Sequence, residues 1–167
     1  LTITTLHFLV PNSIGAAAST RVSNELGAGK CKSAQRVLSA VLFLSMLELI
    51  VAIAALSFGR YVIGYAFSNE TRVVDYVKDM VPFLCSSIFT DGLQAVLSGI
   101  VRGIGRQQIG AYINLAAYYI VGIPVALLLG FVFDFKGKGL WSGLVAGGAV
   151  QDLLLCVVAF RTDWQKQ

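Results

Sequence analysis

Hydrophobic residues run along this chain in five long stretches that short polar connectors separate. Apolar stretches of this length predict helices, because strands are usually only a few residues long. The predicted helices cover approximately 1–27, 34–58, 72–103, 107–133 and 139–161. Four of the five can cross the hydrocarbon core of a bilayer, which takes roughly 20 apolar residues. The pattern therefore predicts an all-α integral membrane protein, a bundle of about five transmembrane helices.

The first stretch differs from the other four because Pro11 and Gly15 interrupt it. Proline and glycine within a membrane helix mark a kink or a broken turn. Asn12 and Ser13 add polar groups beside this break. A simple helix bend and a substrate-lining role are both open for this segment, and Pro11 is a candidate hinge.

A polar stripe runs along the third predicted helix. Its members are Ser87, Asp91, Gln94, Ser98 and Arg102, at spacings of four, three, four and four. Residues three and four apart share one face of a helix, so these side chains line up. Asp91 lies about eleven residues from either end of its helix, near the bilayer midplane. An acid is costly there and marks a functional site, although an interhelical hydrogen bond alone is the alternative.

The fourth predicted helix carries a second stripe, made of small and polar residues. Gly110, Asn114, Tyr118 and Gly122 recur every four residues. We expect Asn114 and Tyr118 to face the same cavity as the stripe of the third helix. Pro124 follows the stripe and is a second candidate hinge.

The fifth predicted helix carries a ladder of small residues, Gly139, Gly143 and Gly147. Small residues four apart allow the backbones of two membrane helices to approach closely. The ladder therefore predicts a close contact between this helix and a neighbour.

Two further acids lie within apolar stretches. Glu48 is at the middle of the second predicted helix, and Asp152 is a little past the centre of the fifth. An ionised carboxylate at such a depth is costly, so Glu48 is either uncharged and bonded to a neighbouring helix, paired, or facing a cavity. The pattern assigns no role to Asp152.

Composition supports the membrane interpretation. Of 167 residues, 56% are hydrophobic and 13% are charged, and the mean hydropathy is +0.75. An average soluble domain has about 25% charged residues. The net charge of +4 is small, and the Lys and Arg residues cluster between the apolar stretches. They are typical of membrane loops, so we expect a lipid bilayer and no nucleic acid among the partners.

Positive residues are unevenly divided between the two sides of the predicted bundle. Eight Lys and Arg residues follow the first and third helices or lie in the tail, against five on the other side. By the positive-inside rule, the first set and the C-terminus face the cytoplasm. Asn69 begins an N-glycosylation acceptor pattern in an opposite-side connector, as that modification would require.

Residues for enzyme chemistry or metal binding are sparse. His7 is the single histidine, and Cys31, Cys85 and Cys156 match no metal-binding spacing. The segment GAGK at 27–30 lacks the first glycine of a phosphate-binding loop, and Cys31 replaces the magnesium-holding Ser or Thr. We expect a protein that is not an enzyme and has no metal or organic cofactor. Because it begins without Met or a basic leader, we expect the chain to start partway through a longer protein.

Several segments, in order and with matching spacing, resemble the plant branch of the multidrug and toxic compound extrusion (MATE) family, the DETOXIFICATION type. They are IGAAASTRVSNELGAGK (14–30), PFLCSSIFTDGLQAVLSGIVRGIGRQ (82–107), GAYINLAAYYIVGIP (110–124), KGLWSG (138–143) and RTDW (161–164). The resemblance implies twelve transmembrane helices in two lobes of six. Residues 1–167 then form one partial C-terminal lobe, from helix eight to helix twelve.

The resemblance also implies a function. The family exports organic solutes and xenobiotics in exchange for protons or sodium, and its plant members usually couple to protons. Asp91 matches the acid of helix ten that belongs to a cation site, whose partner Glu on helix seven is outside this chain. Two departures stand out. Asn12 and Ser13 replace an expected Tyr-Gly, and Asp152 is an unusual acid beside the more typical Gln151.

The expected mechanism is proton-coupled antiport. Asp91 takes a proton from the acidic side and releases it to the cytosol, while Ser87, Gln94 and Ser98 hydrogen-bond Asp91 or a small organic substrate. Helices one to seven of the same protein are expected partners, in a vacuolar or plasma membrane. The alternative is a non-transporting, truncated membrane module that only packs with partner helices, which the sequence upstream of the chain would distinguish.

Overall fold

Five long helices make up the fold of this chain. The computed structural model describes residues 2–67, 70–162 and 164. The helices are α1 (Thr2–Gly27), α2 (Cys31–Phe67), α3 (Thr71–Gly103), α4 (Gln107–Val132) and α5 (Lys136–Arg161). No strand occurs among the described residues, and the all-α fold class is confirmed. Leu1 and the acceptor residue Asn69 lie outside the described residues.

The second helix extends further than the apolar pattern predicts. It begins at Cys31 and ends at Phe67, whereas the sequence predicts an end at residue 58. Gly59 does not end the helix, since a single glycine costs a helix interior only about 1 kcal/mol. The added turns pack against α3, because a Cβ atom on Gly64 would lie only 2.8 Å from Val74 Cγ1.

Four of the helices are long and apolar enough to cross a membrane, namely α2, α3, α4 and α5. They are the four stretches from which the sequence predicts spans. The first helix, α1, carries the Pro11 break and a polar second half, yet it continues without interruption through Pro11. Proline removes one backbone hydrogen bond, and a membrane bundle tolerates this where neighbouring helices support the segment.

The third helix lies at the centre of the bundle and packs against α1, α2 and α5. In its most apolar window 56% of the residues are buried, against 17% in α2. Val96 and Ile100 belong to an apolar cluster with α1 and α2, and Leu97 and Val101 to another with Leu155 of α5. The polar stripe predicted from the sequence is therefore on the helix with the most protein around it.

Glycine sets the two closest helix contacts. Gly99 of α3 lies directly on the backbone of α1 at Gly15, and a Cβ on Gly103 would come within 2.7 Å of the Ser19 carbonyl oxygen. Both contacts advance together along α1 and α3, so the two helices run parallel. On the other side, a Cβ on Gly139 would lie 2.5 Å from the carbonyl of Leu129. The glycine ladder of α5 thus packs against α4, as its spacing predicts.

Candidate functional site

A polar cavity of about 320 Å³ lies between α1, α3, α4 and α5. Three residues predicted to line a cavity, Gln94, Ser98 and Asn114, share it. Gln94 donates a hydrogen bond from Nε2 to Ser98 Oγ at 3.5 Å, so the stripe of α3 is partly self-bonded. The helical spacing that groups these residues in the sequence also places them on one wall.

Four more polar side chains line the cavity, among them Arg102 of the same stripe and Gln107 of α4. Asn12, beside the Pro11 break, reaches it from α1, so the substrate-lining interpretation of that segment has a geometric basis. Gln151 reaches it from α5 and is only 1% exposed. Its Oε1 atom is buried and has no hydrogen-bond partner among the described residues. Gln151 lacks a periodic polar partner on its own helix, so helical spacing alone does not select it.

Ser87 lies apart from this cavity. It is buried, and its Oγ accepts a hydrogen bond from Nε1 of Trp141 at 2.6 Å. The bond joins α3 to α5 nearer the start of α3. Although Ser87 shares the stripe of Gln94 and Ser98, its hydroxyl is occupied by an interhelical contact.

The ring of Tyr118 does not line this cavity either, although its spacing from Asn114 predicts that it does. Residues Ala117–Gly122 of α4 are π-helical, as are Leu128–Val132. A π turn has more residues than an α turn, so side chains four apart no longer share one face. Asn114 lines the cavity, whereas Tyr118 packs against Gly147, where an added Cβ would lie 3.0 Å from its ring.

Asp91 is half-buried at the middle of α3. The described part of the chain provides no hydrogen bond and no ion pair to its carboxylate. Its charge interacts with three other titratable groups, each on a different helix, which are His7 of α1, Tyr118 of α4 and Asp152 of α5. The tertiary structure therefore gathers titratable side chains around the one acid that the sequence selects.

Asp152 is more deeply buried than Asp91. It is 6% exposed, and its Oδ1 atom has no hydrogen-bond partner among the described residues. Its helix meets α3 one turn away, where a Cβ on Gly148 would lie 3.1 Å from Thr90 Oγ1. The sequence assigns no role to Asp152, and only the packing of α5 on α3 places it near Asp91.

Glu48 lies in a different contact, between α2 and α1. Its Oε1 atom is 2.8 Å from Nε2 of His7. This is the bond to a neighbouring helix that was one alternative for Glu48. The sole histidine of the chain therefore contacts one acid directly and interacts electrostatically with a second, Asp91.

Neither hinge candidate breaks its helix. Pro11 is fully buried within α1, and Pro124 lies in the first turn of the α-helical part Ile123–Leu127, directly after a π-helical turn. Their role as hinges stays a prediction. Within the described part of the chain, no group of three or more potential metal ligands occurs.

The chain matches the sequence model of a known protein family. The sequence model of the MatE family matches residues 1–128. The chain belongs to this family. The family resemblance read from the sequence is confirmed, and with it the expectation of a multi-pass integral membrane protein.

Similar proteins place the chain more closely within the MatE family. Protein DETOXIFICATION 14 of Arabidopsis thaliana is 52% identical over 161 residues, which cover 96% of this chain and 33% of the relative. Protein DETOXIFICATION 8 of the same plant is 49% identical over 168 residues, covering 100% and 34%. The chain spans about a third of the length of these curated relatives.

The structural comparison agrees. A crystal structure of the eukaryotic MATE transporter AtDTX14 aligns with 99% of this chain and 37% of its own chain. The TM-score is 0.93 and the sequence identity is 49%. The five-helix arrangement is therefore that of a segment of a MATE transporter.

Proposed function

We propose that this chain acts as part of the C-terminal lobe of a secondary active transporter, which exports organic solutes by proton-coupled antiport. Asp91 is the coupling group in this proposal. The observation that carries it is an acid at the middle of a membrane-length helix, the most enclosed of the four, with no hydrogen bond or ion pair from the described residues. Such an acid is costly, and a functional role is the default reason for keeping it.

The chemistry follows from the two states of the Asp91 carboxyl group. When it is protonated, it is neutral and suits closely packed helices. When it is ionised, it attracts water or a cationic substrate and favours an open state. A proton that binds from the acidic side and leaves to the cytosol therefore changes which state of the bundle is favoured.

The neighbouring cavity provides the groups for an organic substrate. Its volume of about 320 Å³ is at the lower end of the range typical of small-molecule sites, roughly 300–1,000 Å³. The amides of Asn12, Gln94, Asn114 and Gln151 can donate and accept hydrogen bonds without carrying charge. Arg102 adds one positive charge to the lining. This lining favours a small polar organic molecule over an inorganic cation as the exported solute.

The rest of the transporter is also part of the proposal. Because the chain spans about a third of the length of its curated relatives, we propose that helices one to seven of the same protein complete the substrate path. The basic connectors support a cytoplasmic C-terminus. The membrane itself is vacuolar or plasma.

The test uses the full-length transporter that contains this chain, reconstituted in proteoliposomes. Efflux of a fluorescent organic cation is driven by an imposed pH gradient, in buffers with and without sodium. We expect Asp91→Asn to abolish proton-driven efflux while expression and sorting survive. A requirement for a sodium gradient instead would replace the proton with sodium in the proposal.

Asp75→Asn is the matched control, because it makes the same change at an exposed position of the same helix. We expect it to transport as the unchanged protein does. Normal efflux by the Asp91→Asn protein would show that Asp91 is not the coupling group. No efflux by the folded, unchanged protein would favour the non-transporting membrane module.

A further inference from the structure

His7 and Glu48 form a hydrogen-bonded pair at the contact between α1 and α2. The His7 Nε2 and Glu48 Oε1 atoms are 2.8 Å apart, and the two side chains are only 12% and 20% exposed. The second oxygen, Oε2, is buried with no hydrogen-bond partner among the described residues. Glu48 also lies in the middle of a membrane-length helix, α2. The pair is therefore an enclosed polar contact at membrane depth.

Such a pair is least costly when it holds a single proton. With one proton it is either an imidazolium beside a carboxylate or a neutral imidazole beside a carboxylic acid, and neither has net charge. Loss of that proton would leave an uncompensated carboxylate in a low-dielectric surrounding, which is strongly unfavourable. If either partner were absent, the remaining one would become neutral for the same reason.

The packing of α1 on α3 brings this pair to Asp91. The two helices run parallel, with Gly15 against Gly99. His7 and Asp91 precede these glycines by the same number of residues, so they lie at the same level of the contact. A positive charge on His7, when the ring is protonated, acts on the carboxylate of Asp91. Behind Asp91, Tyr118 and Asp152 are the titratable groups of α4 and α5 that act on it.

We propose that the His7–Glu48 pair is a positioning element that sets the pH at which Asp91 exchanges the coupling proton. When His7 carries the proton of the pair, its positive charge stabilises the ionised form of Asp91. The transported proton moves only between Asp91 and water. This inference rests on the proposed function and extends it from one residue to a linked group on three helices.

The test measures proton-driven efflux by the full-length transporter as a function of the pH on its cytosolic side. His7→Gln keeps a side-chain donor for Glu48 but removes the positive charge. Ionised Asp91 then loses its stabilising neighbour and needs a higher pH to release its proton. We expect the pH of half-maximal efflux to rise by about 0.5–1 unit, with maximal efflux retained.

Glu48→Gln removes the other charge. Without the carboxylate nothing compensates a positive charge on His7 in this enclosed contact, so we expect the pH of half-maximal efflux to rise by a similar amount. Each single variant thus removes both members of the ion pair as charged groups. The double variant is therefore expected to match either single variant, not their sum.

Trp141→Phe is the control for a merely structural effect. It removes a different interhelical hydrogen bond, to Ser87, that contains no titratable group. We expect a lower unfolding temperature and an unchanged pH of half-maximal efflux. If His7→Gln and Glu48→Gln behave in the same way, the pair is only a tether and the inference is wrong.

The outcomes separate this inference from the proposed function. Normal efflux by the Asp91→Asn protein overturns both. An inactive Asp91→Asn protein, together with unshifted pH profiles for the His7 and Glu48 variants, overturns only the inference. Should neither single variant fold, the exchanged pair His7→Glu with Glu48→His restores the hydrogen bond but places the acid near Asp91. It should shift the profile too, and an unshifted profile would overturn the inference.

Discussion

Glu48 and Asp91 are both acids at the middle of long apolar helices, yet their surroundings differ. Glu48 has a histidine partner 2.8 Å away on the adjacent helix. Asp91 has no hydrogen bond or ion pair within the described part of the chain. A partnered acid contributes a contact between helices, whereas an unpartnered one costs stability and is retained for another reason. An intramembrane acid therefore has to be interpreted from its partners and not from its depth alone.

The helices that carry the two acids also differ in how much of each is buried by neighbouring helices. In the most apolar window of α2 only 17% of the residues are buried, and Phe43, Ile50 and Phe58 are largely exposed. The corresponding window of α3 is 56% buried, among α1, α2 and α5. Glu48 consequently has one titratable partner, whereas titratable groups of three other helices act on the charge of Asp91.

The largest expected effect comes from the contact that brings α1 to α3. Gly99→Ala would force a Cβ into the backbone of α1 at Gly15, which no side-chain rotation relieves. We expect a loss of up to about 3 kcal/mol in the free energy of unfolding, the upper part of the usual range for overpacking. Thermal unfolding of the full-length protein in detergent measures it.

Gly59→Ala in α2 is the matched control. Its Cβ would lie 3.6 Å from Ile63 Cδ1, an ordinary contact. Alanine favours a helix over glycine by about 1 kcal/mol, so this variant should be equally or more stable. An equal loss of unfolding free energy from both substitutions would show that the close α1–α3 contact at Gly99 does not cause the effect.

The second prediction compares the two acids directly. Glu48→Leu removes the hydrogen bond to His7 and should cost about 1.5–3 kcal/mol, the usual value for a bond to a charged group. Asp91→Leu removes an acid without a partner, so the unfolding temperature should stay the same or rise, although efflux is lost. A clear loss of stability in the Asp91→Leu protein would contradict the distinction between the two acids.

The smallest expected effect concerns the bond between Trp141 and Ser87. Trp141→Phe removes the indole donor and should cost about 0.5–1.5 kcal/mol, the typical net value of a hydrogen bond. Ser87→Ala should cost a similar amount, and the double variant should cost less than the sum. Additive losses in the double-variant cycle would show that the bond contributes no coupling energy.

Much of the fold could be predicted from the sequence, because a bilayer leaves few choices. Long apolar stretches must form helices, as hydrocarbon offers no partner to exposed backbone groups. The end of α2 was placed too early, since the contact of Gly64 with Val74 of α3 carries the helix past Gly59. The apolar pattern of α2 does not show that Gly64 packs closely against Val74, so it cannot predict where the helix ends.

The candidate site could be predicted only in part. Helical spacing correctly groups Gln94 with Ser98 on one wall of the polar cavity, because both belong to one α-helix. Tyr118 is not part of that cavity's lining, since a π-helical turn changes the phase of α4. Helical spacing also cannot select Gln151, a single polar residue whose cavity position depends on how α5 is rotated.

The sequence by itself determined the four long apolar spans, the polar stripe and the position of Asp91 at the middle of its helix, since each is a property of one helix and its period. Only the tertiary structure decided which acid has a partner. His7 and Glu48 lie on different helices, and so do the groups around Asp91. These groups come close together only because glycines allow their helices to pack closely. That packing depends on pairs of helices, so no single segment of the sequence reveals it.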